Sequence, residues 1–108
     1  MSKVIKVLRR FSCPGPRFKK LGPASGEEFK ELLMRELTTL KGDNLTIDLD
    51  GTEGYGSSFL EEAFGGLVRD GVDPNLVRRI TFISKEEPDL IDEIQEYIEE
   101  AIAESKQG

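Results

Sequence analysis

The chain has 108 residues, a net charge of −6, one cysteine, and neither histidine nor tryptophan. That composition excludes an internal disulfide, Ser-His-Asp and Cys-His catalysis, and zinc sites built on histidine. It fits a single domain over 1–108 with no cofactor; no apolar run reaches the ~18 residues of a membrane span, Met1–Leu8 is too short and lysine-broken for a signal peptide, and the expected location is cytoplasmic.

Lys3 to Phe11 is rich in β-formers (Val4, Ile5, Val7, Leu8) and predicts a first strand. Cys13-Pro14-Gly15-Pro16 breaks it. Arg17 to Leu21 suggests a short second strand in a hairpin with the first. Ser25-Gly26-Glu27-Glu28 has the form of a capping box. Phe29, Leu32, Leu33, Leu37 and Leu40 then recur at helical spacing, and Gly42 stops the helix. Leu45, Ile47 and Leu49 alternate with Thr46, Asp48 and Asp50, the period of a strand with one buried face.

Gly51 to Gly56 reads as a loop. Ser58-Phe59-Leu60-Glu61 is a second capping box, followed by the apolar stripe Phe59, Leu60, Ala63, Phe64, Leu67 and Val68. Gly65 and Gly66 interrupt that helix, at up to ~1 kcal/mol each relative to alanine, which implies a close backbone approach. Asp73-Pro74-Asn75 starts a turn, and Arg79 to Ser84 predicts another strand. Glu87-Pro88 opens a last helix with a buried stripe of Leu90, Ile91, Ile94, Ile98, Ala101 and Ile102. Its outer face is anionic, since residues 86–104 hold nine acids and no base. The tail is expected to fray from about Ser105. The alternation predicts an α/β domain: a small mixed sheet of about four strands with three helices packed mainly on one face.

Charge is segregated along the chain. Residues 1–24 carry Lys3, Lys6, Arg9, Arg10, Arg17, Lys19 and Lys20 and no acid, while residues 25–108 carry all 21 acids against 8 bases. Arg9, Arg10, Arg17, Lys19 and Lys20 are candidates for a basic patch, although the net charge argues against nucleic acid as a partner. The blander reading places the basic strand beside the acidic last helix of the same molecule. Asp48, Asp50 and Glu53 suggest a weak Mg²⁺ site, and a solvated sheet face explains them better. Cys13 is a weak candidate for a reactive thiol beside Arg9, Arg10 and Arg17. Gly51, Gly54 and Gly56 do not fit a phosphate-binding loop.

The densest information lies in Ile47-Asp48-Leu49-Asp50-Gly51 through Ser57-Ser58-Phe59-Leu60-Glu61-Glu62, where a strand runs through a loop into a helix. This stretch resembles the STAS domains of anti-anti-sigma factors. More closely, it resembles a prokaryotic STAS-like domain family of unknown function, over about Gly15 to Ile83. The Gly15-Pro16-Arg17 and Ser25-Gly26-Glu27-Glu28-Phe29 segments add to the likeness. The resemblance implies a regulatory, protein-binding module. Its partner would be a histidine-kinase-like ATPase or another signalling protein, and a homodimer is compatible with the likeness. It also implies that Ser58, with Ser57 beside it, corresponds to the serine phosphorylated in anti-anti-sigma factors. Tyr55, Gly56, Phe59 and Glu61 would share the contact surface. Gly56 stands where an acid usually precedes the serine pair, and Phe59 where a small residue follows; both fit the STAS-like family better. Independently, a phosphate at a helix start meets free N–H groups and the positive dipole end, and adds about −1.5 to −2 charge beside Glu61 and Glu62. Without modification, Ser58 is expected to cap the helix. Two other classes remain open: an accessory subunit using the basic N-terminal strand for nucleic acid or nucleotide, and a Mg²⁺-dependent carboxylate enzyme.

Overall fold

The period-2 alternation at 45–49 becomes the middle of the sheet. The computed structural model describes residues 3–40 and 43–107, and it holds three strands: β1 (Lys3–Lys6), β2 (Leu45–Asp48) and β3 (Thr81–Ile83). They pair in the order β1-β2-β3, all parallel. In register, Ile5 lies beside Ile47 and Ile47 beside Phe82. Ile5, Leu45 and Ile47 are buried on the covered face. The other face carries the row Val4, Thr46 and Thr81, whose two threonine hydroxyls hydrogen-bond at 2.6 Å.

The expected four-stranded mixed sheet is therefore a three-stranded parallel one, for two local reasons. The β1–β2 ladder ends at Lys6 and Asp48. Beyond it, Val7–Arg10 turns into a single helical turn, α1, closed by the Phe11 N–H on the Val7 carbonyl at 2.8 Å. Val7 becomes fully buried, and that burial overrides the strand preference of Val7 and Leu8. Arg17 to Leu21 is not a strand either. The carbonyls of Pro16 and Arg17 accept from the Gly26 and Glu27 N–H groups at 2.8 and 2.9 Å, and Lys19–Leu21 is a 3₁₀ turn. The segment thus satisfies orphan donors at a helix start rather than pairing with β1.

That helix is α2, Gly26–Leu40. The buried Ser25 hydroxyl accepts from the Glu28 N–H at 3.0 Å, as its capping box predicts. Phe29, Leu33 and Leu37 are its buried stripe; the stop expected at Gly42 lies outside the described residues. After β2, three segments run without a break: α3 (Ser57–Leu60), a π-helical turn (Glu61–Gly65) and α4 (Gly66–Arg69). This continuous rod packs against α2 and against the last helix. Between them, α5 (Pro74–Arg78) is capped by Asp73, whose carboxylate accepts from Asn75 N–H at 2.9 Å.

The last helix, α6, spans Asp89–Gln107 and buries Leu90, Ile94, Ile98, Ala101 and Ile102. Buried Ala101 and Ile102 anchor its last turns, and the Ser105 hydroxyl donates to the Ile102 carbonyl at 2.7 Å. Between α2, the rod and the sheet lies an aromatic core. Phe29 stacks on Phe59 with centroids 5.9 Å apart, and Phe64 meets Phe82 edge-on at 5.4 Å. Among the described residues, no helix is long and apolar enough to cross a membrane.

Candidate functional site

The stretch from Leu49 to Ser58 leaves the carboxyl end of β2 and returns into the rod. The C-terminal edge of parallel strands is where open α/β sheets place their sites. Side chains fasten it. Asp48 accepts from the Asp50 N–H at 3.1 Å. Asp50 accepts from the N–H groups of Lys85 and Glu86 at 3.1 and 3.0 Å, and Glu86 accepts from Gly51 N–H at 2.7 Å. These carboxylates tie the loops after β2 and β3 together. Among the described residues, no group of three or more His, Cys, Asp or Glu side chains is placed to hold a metal ion. Asp48, Asp50 and Glu53 are not gathered into one such group: Asp48 and Asp50 accept backbone N–H groups. Glu53 instead stands beside Cys13, which is free and exposed. The hydrogen bond and negative charge of Glu53 hold that thiol above its usual range, so the arginines do not activate it.

Tyr55 locks the loop from inside. Its hydroxyl donates to the Leu49 carbonyl at 2.8 Å, and its ring lies 5.9 Å from that of Phe59. Burial first, with Asp48, Asp50 and Glu86 nearby, pushes its pKa up to about 12, so it stays a hydrogen-bond donor at neutral pH.

At the helix start, the N-cap is Gly56, in extended conformation and without a side-chain capping bond. The expected capping role of Ser58 is thus corrected: Ser57 opens the first turn, and both serines, with Gly56, are exposed. The backbone enters the helix two residues earlier than the S-x-x-E spacing suggests. The two hydroxyls differ in surroundings. Tyr97 on α6 donates to Glu93 at 2.6 Å, and Ser57 lies near the same phenol. The Glu93 bond, then burial, raises Tyr97 to about 12. Ser58 sits one turn below Glu61 and Glu62 on the same face. Phe59 is buried against Phe29 and Phe11, which removes it from any contact surface.

Glu61 begins an ionic network that sequence reasoning did not find. Arg69 grips it at 2.5 and 2.9 Å, and Arg17 reaches it at 2.6 Å. The Arg69 bonds, opposed by burial and aided by Arg17, hold the Glu61 carboxyl below its ordinary range. Glu62 is only 6% exposed and takes Lys30, 8% exposed, at 2.7 Å. Lys30 also meets Asp70 at 2.8 Å. Gly65 and Gly66 make room for these charges. A β-carbon on Gly66 would stand 2.8 Å from the Lys30 Cδ, and one on Gly65 would stand 2.6 Å from Glu61 Oε2. The signal for this pair was present: Lys30 and Glu62 are opposite charges, each set within an otherwise apolar helical stripe.

The N-terminal bases do not form one patch. Arg17 is taken up by Glu61 and Glu62, Lys19 pairs with Glu31, and Lys3 pairs with Glu36 at 2.7 Å. Arg9 and Arg10 are exposed on α1, and Lys20 lies 5.7 Å from the Phe18 ring. The acids that meet Lys3, Arg17 and Lys19 lie on α2 and the rod, so the basic segment does not rest on α6.

Residues 25–90 fit the family model described as a STAS-like domain of unknown function. No curated protein and no solved structure matches the chain. The fitted region runs from the Ser25 cap through β2, the loop, the rod and β3 to the first turn of α6, more than half of the chain. The chain therefore belongs to the STAS-like domains of unknown function.

Proposed function

We propose that this domain is a regulatory protein-binding module, not a catalyst. Its contact surface is the Gly54–Ser58 loop and helix start, and phosphorylation of Ser58 switches it. The observation that carries this reading is the exposure of Ser57 and Ser58 on a first turn capped by Gly56. Neither hydroxyl is committed to capping, while the ground beneath them is rigid: Tyr55 is bonded to Leu49, and Phe59 is in the core. A phosphate on Ser58 adds about −1.5 to −2 charge one turn from Glu61 and Glu62, and it competes with Glu61 for Arg17. The partner that fits the family likeness is a histidine-kinase-like ATPase.

Calorimetry with an ATPase encoded beside this domain tests the reading. Ser58→Asp is expected to weaken binding by tenfold or more, with Ser58→Ala binding as the unaltered protein does. Equal affinity for all three proteins overturns the switch.

A further inference from the structure

Two surface features lie at opposite ends of α2. At its start, the 3₁₀ turn projects Phe18, 36% exposed, and Leu21, 64% exposed. The turn is firmly necked. Gly15 N–H donates to the Ala24 carbonyl at 2.7 Å, Gly26 N–H to Pro16 at 2.8 Å, and Lys19 N–H to the Glu27 carboxylate at 2.9 Å. These two apolar side chains are therefore held out in one shape, and docking them orders little chain. Lys20 adds positive charge beside the Phe18 ring.

Toward the other end of α2, Met34, Leu37, Val72 and Leu76 line a groove of about 250 Å³ rimmed by Thr38, Asp70 and Asp73. A cavity of about 150 Å³ already holds a benzene ring. Asp73 on the rim and Lys20 at the tip are of opposite charge, which biases orientation in an encounter. Glu27, beside the tip, and the Met34–Thr38 wall are separated by roughly 10–16 Å of helix, so tip and groove of one molecule do not meet.

We propose that copies of this domain associate head to tail, the Phe18–Leu21 tip of one seating in the Met34–Leu76 groove of the next. Such a contact is heterologous and adds further copies unless its rotation closes a ring. The apolar area is that of two side chains, well under the ~800 Å² per partner of a stable interface. The association is consequently weak, with dissociation constants on the order of hundreds of micromolar.

Sedimentation equilibrium from about 20 μM to about 1 mM spans that range. The unaltered protein is expected to rise above 12.1 kDa with concentration. Phe18→Ser/Leu21→Ser lacks the tip, and Thr38→Arg blocks the groove from an exposed position; each alone is expected to stay monomeric. Mixed together, they supply one intact tip and one intact groove, so the mixture forms dimers and nothing longer. A monomeric unaltered protein at every concentration overturns the proposal, as does association that survives in either variant or a mixture that remains monomeric.

Discussion

Replacing Lys30 by methionine removes the cation from the interior of the ionic network. Glu62 then keeps only Arg17 at 3.5 Å and Arg69 at 3.4 Å, in place of Lys30 at 2.7 Å. Breaking a buried pair costs about 3–5 kcal/mol because the remaining charge is left in a poor solvent. The two arginines retain part of the compensation, which puts the expected loss near 3 kcal/mol. Asp70 also loses its partner, but it is solvated and adds under ~1 kcal/mol. Replacing both members, as Lys30→Met/Glu62→Leu, removes the stranded charge and should return stability to within about 1 kcal/mol of the start. Urea unfolding followed by circular dichroism at neutral pH measures all three proteins. The pH limbs follow from the same contacts. Burial pulls the Lys30 pKa down, but its bonds to Asp70 and Glu62 leave it above the ordinary 10.5. Its contribution is therefore complete below 10.5 and lost as pH rises through the folded value. Glu61 is held below its ordinary 4.5, first by Arg69, so its contribution is complete above 4.5 and lost as pH falls through the folded value. Lys30→Met should flatten the alkaline limb. A single variant within 1 kcal/mol of the unaltered protein, or a double variant as weak as the single, refutes the reasoning.

Gly26→Ala should destabilise the fold by roughly 2–3 kcal/mol in the same unfolding assay. Its β-carbon would stand 2.5 Å from the Phe59 carbonyl oxygen, where backbone meets backbone and neither side gives easily; a gain in stability contradicts that approach. Glu53→Ala should speed iodoacetamide labelling of Cys13 near pH 8, since Glu53 is what raises the thiol; equal rates exclude the contact. Ser58→Ala should change stability by less than ~0.5 kcal/mol because Gly56 is the cap, whereas a loss near ~1 kcal/mol would restore the capping role read from sequence.

Periodicity exposed the parts of the fold that bury one continuous stripe. Phe29, Leu33 and Leu37 in α2, the 45–48 alternation in β2, and Leu90 through Ile102 in α6 were each legible because one face is apolar and the other is not. The N-terminal segment was not, because its residues obey tertiary demands. Val7 and Leu8 are good strand formers, yet β2 offers no partner beyond Asp48. Arg17 to Leu21 looked extended, yet the carbonyls of Pro16 and Arg17 serve as acceptors for the start of α2. At the candidate site, the loop and serine pair were visible as a motif, but the cap was displaced from Ser58 to Gly56. Such a shift turns on the backbone angles of two residues, Ser57 and Ser58, which residue type does not determine. The Lys30–Glu62 pair was hidden differently. A lone charge in an apolar stripe is ambiguous until the facing stripe is known to carry its opposite.

The network also makes the two serines inequivalent on the proposed reading. Ser57 lies near the Tyr97–Glu93 pair of α6, so a phosphate there sets new charge close to Glu93. Ser58 is about 100° further round the helix, one turn below Glu61, whose second partner is Arg17. A phosphate on Ser58 offers Arg17 a stronger acceptor than a carboxylate already shared with Arg69. Arg17 leads directly into the necked 18–21 turn, while Lys30 and Arg69 remain on the rod's own carboxylates. On the proposed reading, modification of Ser58 disturbs the surface beside the helix start and leaves the buried pair intact. A switch needs that combination: a contact that changes above a core that does not.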